Sequence, residues 1–455
     1  MKLTARRLLG NGAAASVVET LIASVLLFVT FRIVIRESSL TTFGIWALIQ
    51  SLTAVVRMAD VGVAGSLAKY VGQLAMTERQ AKVWRYVDSG IVFNACFFVI
   101  LSGIAYVPLI LILRSSLAAD QARLAVSLLP LVLFNLVLMS LSGVPIAALI
   151  GLRRGTAKSI INIGGALVLL VATMVLLPPY QLSGLIVAQT CQIAVTLVIA
   201  WAVLTRELDR RRWFRMRLSF DPAVIRETVS VSLIIQVNTV LAQLADVVVK
   251  LALTSWGGAA STGLYELVNR FITVARSLML GPTMLGVPLL ARAFVRHRHR
   301  AVARIYERQV LLTGVAAALV YTGIIVAAPV VCYVVLGRME PDFFVYFGIM
   351  WVITLINVIS IPAVMLGPAS GKLRGNLIAN VILIVGTILS TNLAGYLAGA
   401  TAALLAGGGM VVIASVLTMI WNGRAHDIRV LPGAASIRRL FRPGGMRALF
   451  SPILR

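Results

Sequence analysis

Long apolar runs recur along almost the whole chain, and short polar or basic stretches separate them. Each run is close to the ~20 residues that a membrane-spanning helix requires. We therefore predict an all-α, polytopic membrane protein with about twelve transmembrane helices. The first predicted span follows the basic N-terminus and continues to about residue 35. The others lie near residues 43–71, 87–113, 124–152, 159–177, 183–204, 229–256, 263–290, 310–336, 343–366, 377–397 and 399–421.

The connection at about 205–229 is the only long one between predicted spans, so it divides the chain into two bundles of six helices. We predict an N-terminal lobe over 1–218 and a C-terminal lobe over 219–425. A basic cytoplasmic tail is predicted over 426–455. The tail is compatible with an interfacial helix on an anionic leaflet and equally with disorder.

A stretch of the second predicted span is repeated in the eighth. Residues 43–62 have the sequence FGIWALIQSLTAVVRMADVG, and residues 262–281 have TGLYELVNRFITVARSLMLG. The offset of 219 aligns Gly44 with Gly263 and Arg57 with Arg276. Pro145 and Pro362, near the ends of spans four and ten, differ by 217, so a small insertion is expected. With six helices per half, the repeats are predicted to be parallel, about an axis along the membrane normal.

Composition agrees with a membrane protein and sets its orientation. Hydrophobic residues make up 60% of the chain and charged residues only 13%, with a net charge of +25. The basic residues lie mainly at the N-terminus and in alternate loops, so both termini are predicted to be cytoplasmic. This distribution, without basic and aromatic clusters in a soluble domain, argues against nucleic-acid binding.

No cofactor or metal site is predicted. The three cysteines lie far apart inside apolar spans, which is typical of small core residues rather than of disulfides or metal ligands. The chain has no nucleotide-binding P-loop, hydrolase nucleophile elbow or zinc-protease motif. Its predicted outward loops are too short for a catalytic domain, so we predict that it is not an enzyme.

Polar side chains form a narrow stripe on span two and a wider one on span eight. At 100° per residue, those of span two fall within an arc of roughly 80°. Such stripes should face a bundle interior or a watery cavity. We expect Arg57 and Arg276 to face each other there and to bind phosphate, because guanidinium groups pair with it through two hydrogen bonds. The alternative is that Arg57 pairs locally with Asp60, and Arg276 with a neighbour on its own helix. Substrate-binding candidates are Arg57, Arg276, Arg270, Gln50, Asn269, Trp46 and Tyr265.

Three carboxylates inside or beside the spans are candidates for a coupling ion: Glu19, Asp60 and Asp246. Glu19 has no cation near it in the sequence, so it is either a partner of one of the arginines or a titratable site. Asp246 precedes Lys250 by four residues, and this spacing predicts a salt bridge on one helix face.

Four segments resemble the polysaccharide exporters and oligosaccharide flippases of the multidrug/oligosaccharidyl-lipid/polysaccharide (MOP) superfamily. They are TTFGIWAL at 41–48, D-x-G at 60–62 followed by KYV at 69–71, ADVVVKLALTSWGGAASTGLYEL at 245–267, and the proline-containing end of span four. The resemblance implies a V-shaped, two-lobed bundle with alternating access. In the related lipid II flippase branch, a cationic cavity includes arginines on helices two and eight, which Arg57 and Arg276 match. This chain lacks two extra C-terminal helices of that branch and has Glu19 where an Arg–Asp pair is usual.

The resemblance implies a transporter that flips an undecaprenyl-pyrophosphate-linked oligosaccharide for O-antigen, exopolysaccharide or capsule synthesis. The expected location is the bacterial inner membrane. Expected partners are the lipid-linked oligosaccharide, membrane lipids and other polysaccharide-assembly membrane proteins, but no nucleic acid. The alternatives are a cation-coupled multidrug exporter of the same superfamily and a membrane enzyme of polysaccharide polymerisation.

Overall fold

The structure is a computed structural model that describes residues 2–58, 63–75, 80–208, 219–222, 224, 233–284, 287–296, 299–430 and 432–433. These residues contain eleven helices and no β-strand, which confirms the all-α class. The helices are α1 (Lys2–Glu37), α2 (Leu40–Met58), α3 (Val63–Ala75), α4 (Gln80–Ser116), α5 (Ala119–Gly151), α6 (Gly155–Leu208), α7 (Leu233–Met284), α8 (Val287–Val295), α9 (His299–Leu336), α10 (Pro341–Ser370) and α11 (Arg374–Ala425). The predicted tail lies almost entirely outside the described residues.

Three of these helices contain a break. Gln181 in α6 has φ 47°, Gly258 in α7 has φ 74° and Gly399 in α11 has φ 78°. Glycine adopts positive φ at little cost, and the break in α6 directly follows Pro178 and Pro179, which remove two backbone donors. Each break falls where the sequence places a connection between two spans. Whether every segment crosses a bilayer, and in which direction, stays a prediction.

The outer faces of these helices suit a membrane. Nine helices of the described chain are long and apolar enough to cross one. On α4, Val99, Ile100, Ile104, Val107 and Leu111 are each more than half exposed. Apolar side chains at these spacings form one continuous strip along a helix, and lipid would cover it.

Residues outside the described part interrupt the predicted spans two and eight. Span two was predicted over 43–71; the structure describes α2 up to Met58 and α3 from Val63, so the continuity of this span stays a prediction. Lys69 and Gln73 of α3 are exposed while Leu67 and Val71 are buried. This amphipathic pattern suits a helix that buries one face against its own unit. In the same way, α7 is described up to Met284 and α8 from Val287.

The described contacts divide the chain into two compact units, residues 1–266 and 267–455. In the first unit, α1 and α5 pack on α6, and α4 and α3 pack on α5. Its core at one end includes Trp84 and Trp201, whose rings lie 5.6 Å apart. In the second unit, α10 packs on α11, and Tyr306 lies in a core formed by α8 to α11.

The two cores occupy equivalent positions of the repeat. Seven core residues of the first unit have a counterpart in the core of the second at the repeat offset of 219. The pairs are Val71 and Leu290, Val83 and Val302, Val87 and Tyr306, Ile91 and Val310, Val144 and Ala363, Ala147 and Leu366, and Ala200 and Met419. Because the offset is constant from residue 71 to residue 200, no insertion is needed between spans two and six. Pro145 and Pro362 are therefore near neighbours in the alignment and not equivalent residues.

Candidate functional site

Glu19 of α1 lies in a buried polar cluster on α6. Lys158 Nζ is 2.8 Å and 2.9 Å from the two carboxylate oxygens of Glu19. Ser159 Oγ donates to Oε2 at 2.7 Å, and Asn162 Nδ2 donates to Oε1 at 2.6 Å. The three donors follow one another on the first two turns of α6. The structure thus pairs Glu19 with a lysine of its own unit rather than with Arg57 or Arg276.

Removing the lysine from this cluster should destabilise the protein. We expect Lys158→Met to cost about 3 kcal/mol, because a buried carboxylate loses its counter-charge. The double variant Glu19→Met with Lys158→Met should recover most of the loss, since apolar replacement of both partners of a buried pair is often nearly neutral. Thermal unfolding of the purified variants measures both effects. Equal stability of Lys158→Met and wild type would contradict this account.

The two segments of α7, before and after Gly258, enclose a second ionic cluster. Lys250 Nζ lies 2.8 Å from Asp246 Oδ2, which confirms the salt bridge predicted from their spacing. It also lies 2.8 Å from Glu266 Oε2 on the following segment, a contact that the sequence analysis did not include. The Tyr265 hydroxyl donates to Asp246 Oδ1 at 2.7 Å. Asp246 and Tyr265, two predicted site residues, are therefore brought together around one ammonium group.

The described part of the polar stripe on α2 contacts helices of its own unit. Gln50 donates to Gln189 of α6 at 2.6 Å. Trp46 is buried with its ring 5.8 Å from that of Phe31 in α1, and its Nε1 has no hydrogen-bond partner among the described residues. Arg57 is half-buried, with Nη1 2.9 Å from the sulfur of Met139 in α5. Asp60 lies outside the described residues, so local pairing with Arg57 is untested.

A tight backbone contact lies on the opposite side of α2. A Cβ atom on Gly44 would overlap the carbonyl oxygen of Ala259, and one on Gly263 would lie 2.6 Å from that of Leu40. Leu40 and Ala259 are themselves 219 apart, so the contact is symmetric under the repeat, as at a two-fold axis. Since Gly44 and Arg57 point roughly 140° apart on an α-helix, this contact and the polar stripe occupy different faces of α2.

The second polar stripe lies on α7 and is largely exposed. Arg270, Thr273, Arg276 and Ser277 are exposed, and Asn269 is half-buried. All lie within the apolar segment Val240–Ser277, which is long enough to cross a membrane. This face differs from the apolar exposed strip of α4. The expectation that Arg57 and Arg276 face each other concerns two different units and stays a prediction.

Sequence reasoning missed the partners that complete these clusters: Lys158, Ser159, Asn162, Gln189 and Glu266's ion pair with Lys250. A signal was present for α6, because Lys158 and Asn162 are four residues apart at the start of an apolar span and so share one helix face. The spacing of Lys158 and Asn162 does not show, however, that their side chains contact α1.

The comparisons with known proteins identify the family. The family described as "Polysaccharide biosynthesis protein" matches residues 9–294, which is more than half of the chain. The chain belongs to that family. This agrees with the resemblance found in the sequence and places the repeated helices, the Glu19 cluster and the α7 hairpin within the family's matched region. No curated protein matches the chain by sequence.

Solved structures show that this member of the family has the fold of MOP-superfamily transporters. An inward-facing multidrug resistance MATE family transporter of that superfamily is 11% identical, with a TM-score of 0.76, covering 89% of this chain and 94% of that one. An outward-facing one has a TM-score of 0.64 at 12% identity, covering 91% and 95%. A MOP superfamily transporter from Pyrococcus furiosus, described as having a binding pocket of reverse polarity, has a TM-score of 0.64 at 13% identity, covering 91% and 95%.

Proposed function

We propose that the protein flips an undecaprenyl-pyrophosphate-linked oligosaccharide across the bacterial inner membrane by alternating access, for O-antigen, exopolysaccharide or capsule synthesis. The observation that carries this proposal is the exposed stripe of α7, where Arg270 and Arg276 project from an apolar, membrane-length segment. The family match supports a role in polysaccharide biosynthesis, and the fold supports a transporter rather than an enzyme.

The physical argument starts from the cost of a guanidinium group in lipid. An arginine at membrane depth is expensive unless it contacts water, a carboxylate or another anion. Arg276 is exposed on α7 and has no carboxylate partner among the described residues, so we expect a water-filled hollow beside this helix when the protein is in a membrane. Such a hollow, lined by permanently charged guanidinium groups, favours an anionic head group, and pyrophosphate accepts paired hydrogen bonds from arginine.

A cation-coupled multidrug exporter is the second candidate, and the MATE structures favour it. A cavity for cationic drugs would be expected to present exposed carboxylates. In the described part of this chain, Glu19 and Asp246 are each paired with a lysine, whereas the exposed charges on the α7 stripe are arginines. This charge distribution favours an anionic substrate.

The purified protein in lipid vesicles tests both candidates in one preparation. With an undecaprenyl-pyrophosphate-linked oligosaccharide in the bilayer, we expect loss of inner-leaflet glycan, measured by cleavage of outward-exposed glycan with an added glycosidase. Protein-free vesicles are the control. Under a proton or sodium gradient, no transport of a cationic dye is expected. Dye transport without movement of the glycan lipid would overturn the proposal in favour of the exporter.

Deletion of the gene gives an independent cellular result. We expect lipid-linked oligosaccharide to accumulate on the cytoplasmic leaflet, because its synthesis continues while its transfer stops. Extraction and analysis of the lipid-linked glycans measure the accumulation, and a plasmid copy of the gene should reverse it. Unchanged levels of lipid-linked glycan would contradict the proposed role.

A further inference from the structure

The two segments of α7, residues 233–257 and 259–284, form a hairpin at Gly258. This α7 hairpin holds one ammonium group, that of Lys250, between two carboxylates. Lys250 and Glu266 are among the most buried charged residues of the described chain, at 5% and 2% exposure. The Lys250 ammonium lies 2.8 Å from a carboxylate oxygen on each segment of the hairpin, Asp246 on its own segment and Glu266 on the next. Tyr265 fixes the Asp246 carboxylate through its other oxygen. The ammonium therefore lies between two carboxylates, and one of them, Asp246, is also held by the Tyr265 hydroxyl.

The repeat shows that this hairpin does not require charges for packing. The positions 219 residues earlier, in the α1–α2 hairpin, are Leu27, Phe31, Trp46 and Ala47. There the rings of Phe31 and Trp46 fill the interior. Burying charges costs desolvation energy, and replacing a buried ionic cluster with apolar residues is often neutral or stabilising. The interior of the α1–α2 hairpin is therefore apolar, whereas that of the equivalent α7 hairpin is ionic. Packing alone does not explain why the α7 hairpin has charged residues there.

Glu266 is buried and Asp246 is half-buried. Two such converging carboxylates are a site for a monovalent cation, because a carboxylate removed from water requires either a partner cation or a bound ion. We propose that the Lys250 ammonium acts as a tethered cation in this two-carboxylate site, so that the protein needs no exchangeable proton, sodium or potassium ion there. Lys250 is attached one helical turn from Asp246, so its charge cannot leave the hairpin. Asp246 then stabilises a fixed charge rather than binding a coupling ion.

This inference rests on the proposed function in one respect: if the protein is a transporter, a fixed charge at Asp246 removes one candidate site for a coupling ion from its transport cycle. The test below measures cation binding and does not use the glycan substrate. A failure of the flipping assay and a failure of this test are therefore separate results.

The experiment compares thermal unfolding of the purified full-length protein in chloride salts of choline, sodium, potassium and methylammonium, at equal ionic strength and pH. Wild type should have the same Tm in all four. Lys250→Ala removes the ammonium and leaves space between the carboxylates. In choline, which is too large for that space, its Tm should fall by roughly 5 °C or more. Sodium, potassium or methylammonium should restore at least half of the loss, and comparison of the three identifies the preferred ion.

Two further variants control for cavity and charge. Lys250→Met fills the space without a charge, so its Tm should be low in every salt. Lys250→Ala combined with Glu266→Gln has one carboxylate fewer and should also lose the cation response. The proposal is overturned if Lys250→Ala has one Tm in all four salts, if it cannot be recovered folded in any of them, or if sodium or potassium raises the Tm of wild type above its value in choline.

Discussion

Replacement of Arg276 by alanine is expected to reduce glycan flipping by at least ~10-fold without lowering the amount of protein in the membrane. Arg276 is exposed on α7, and among the described residues it interacts electrostatically only with the Tyr321 hydroxyl of α9, so its loss breaks no ion pair or hydrogen bond there. A hydrogen bond to a charged group contributes about 1.5–3 kcal/mol, and the loss of one or two such bonds to pyrophosphate corresponds to ~10-fold or more. The vesicle assay and quantitative immunoblots of membranes measure the two quantities.

Matched variants separate phosphate binding from general effects of charge. Arg123→Ala removes another exposed arginine, at the start of α5, where it pairs with Asp120; flipping should be unchanged. Arg276→Lys keeps the charge but not the planar pair of donors, so partial activity is expected. Full flipping by the double variant Arg57→Ala with Arg276→Ala would remove the basis for an anionic substrate on these helices.

Arg57→Ala should have a smaller effect than Arg276→Ala. Arg57 is half-buried, and its Nη1 is directed at the sulfur of Met139 in its own unit. A substrate phosphate would therefore compete with existing contacts for this guanidinium group, whereas Arg276 is more open. The repeat makes the two residues equivalent in sequence, but their surroundings are different.

Local regularities of the sequence were reliable predictors here. The offset of 219, found from one pair of helices, also relates the cores of the two units. The positions of the breaks at Gln181, Gly258 and Gly399 follow from proline or glycine in short connections. The pair of Asp246 and Lys250 was predictable because four residues along a helix bring two side chains to the same face.

Contacts between distant segments could not be predicted in the same way. Glu19 and Lys158 are 139 residues apart, and periodicity assigns each to a helix face without saying which helix packs against it. The insertion expected from Pro145 and Pro362 was wrong. These two prolines are 217 residues apart, whereas the buried core residues of the two units match at 219, so burial defines the alignment better than residue type does.

The glycine contact between α2 and α7 gives the largest expected effect on stability. Gly44→Ala would place a Cβ atom on the carbonyl oxygen of Ala259, and neither group can move away by a change of side-chain rotamer. The two backbones must then move apart at this contact. Overpacking usually costs ~1–3 kcal/mol, and a clash between two backbones should reach or exceed the top of that range. We expect a clear fall in Tm and in the yield of folded protein from membranes.

Gly263→Ala tests the symmetry of the same contact. Its Cβ would lie 2.6 Å from the oxygen of Leu40 and 3.1 Å from the nitrogen of Gly44, so it should destabilise the protein, but less than Gly44→Ala. Gly103→Ala is the matched control, because its Cβ would have no neighbour within 4 Å and alanine favours a helix. A Gly44→Ala protein as stable as the Gly103→Ala protein would mean that α2 and α7 do not touch at these glycines. Gly44 and Gly263 would then correspond in the sequence repeat without contacting each other in the folded protein.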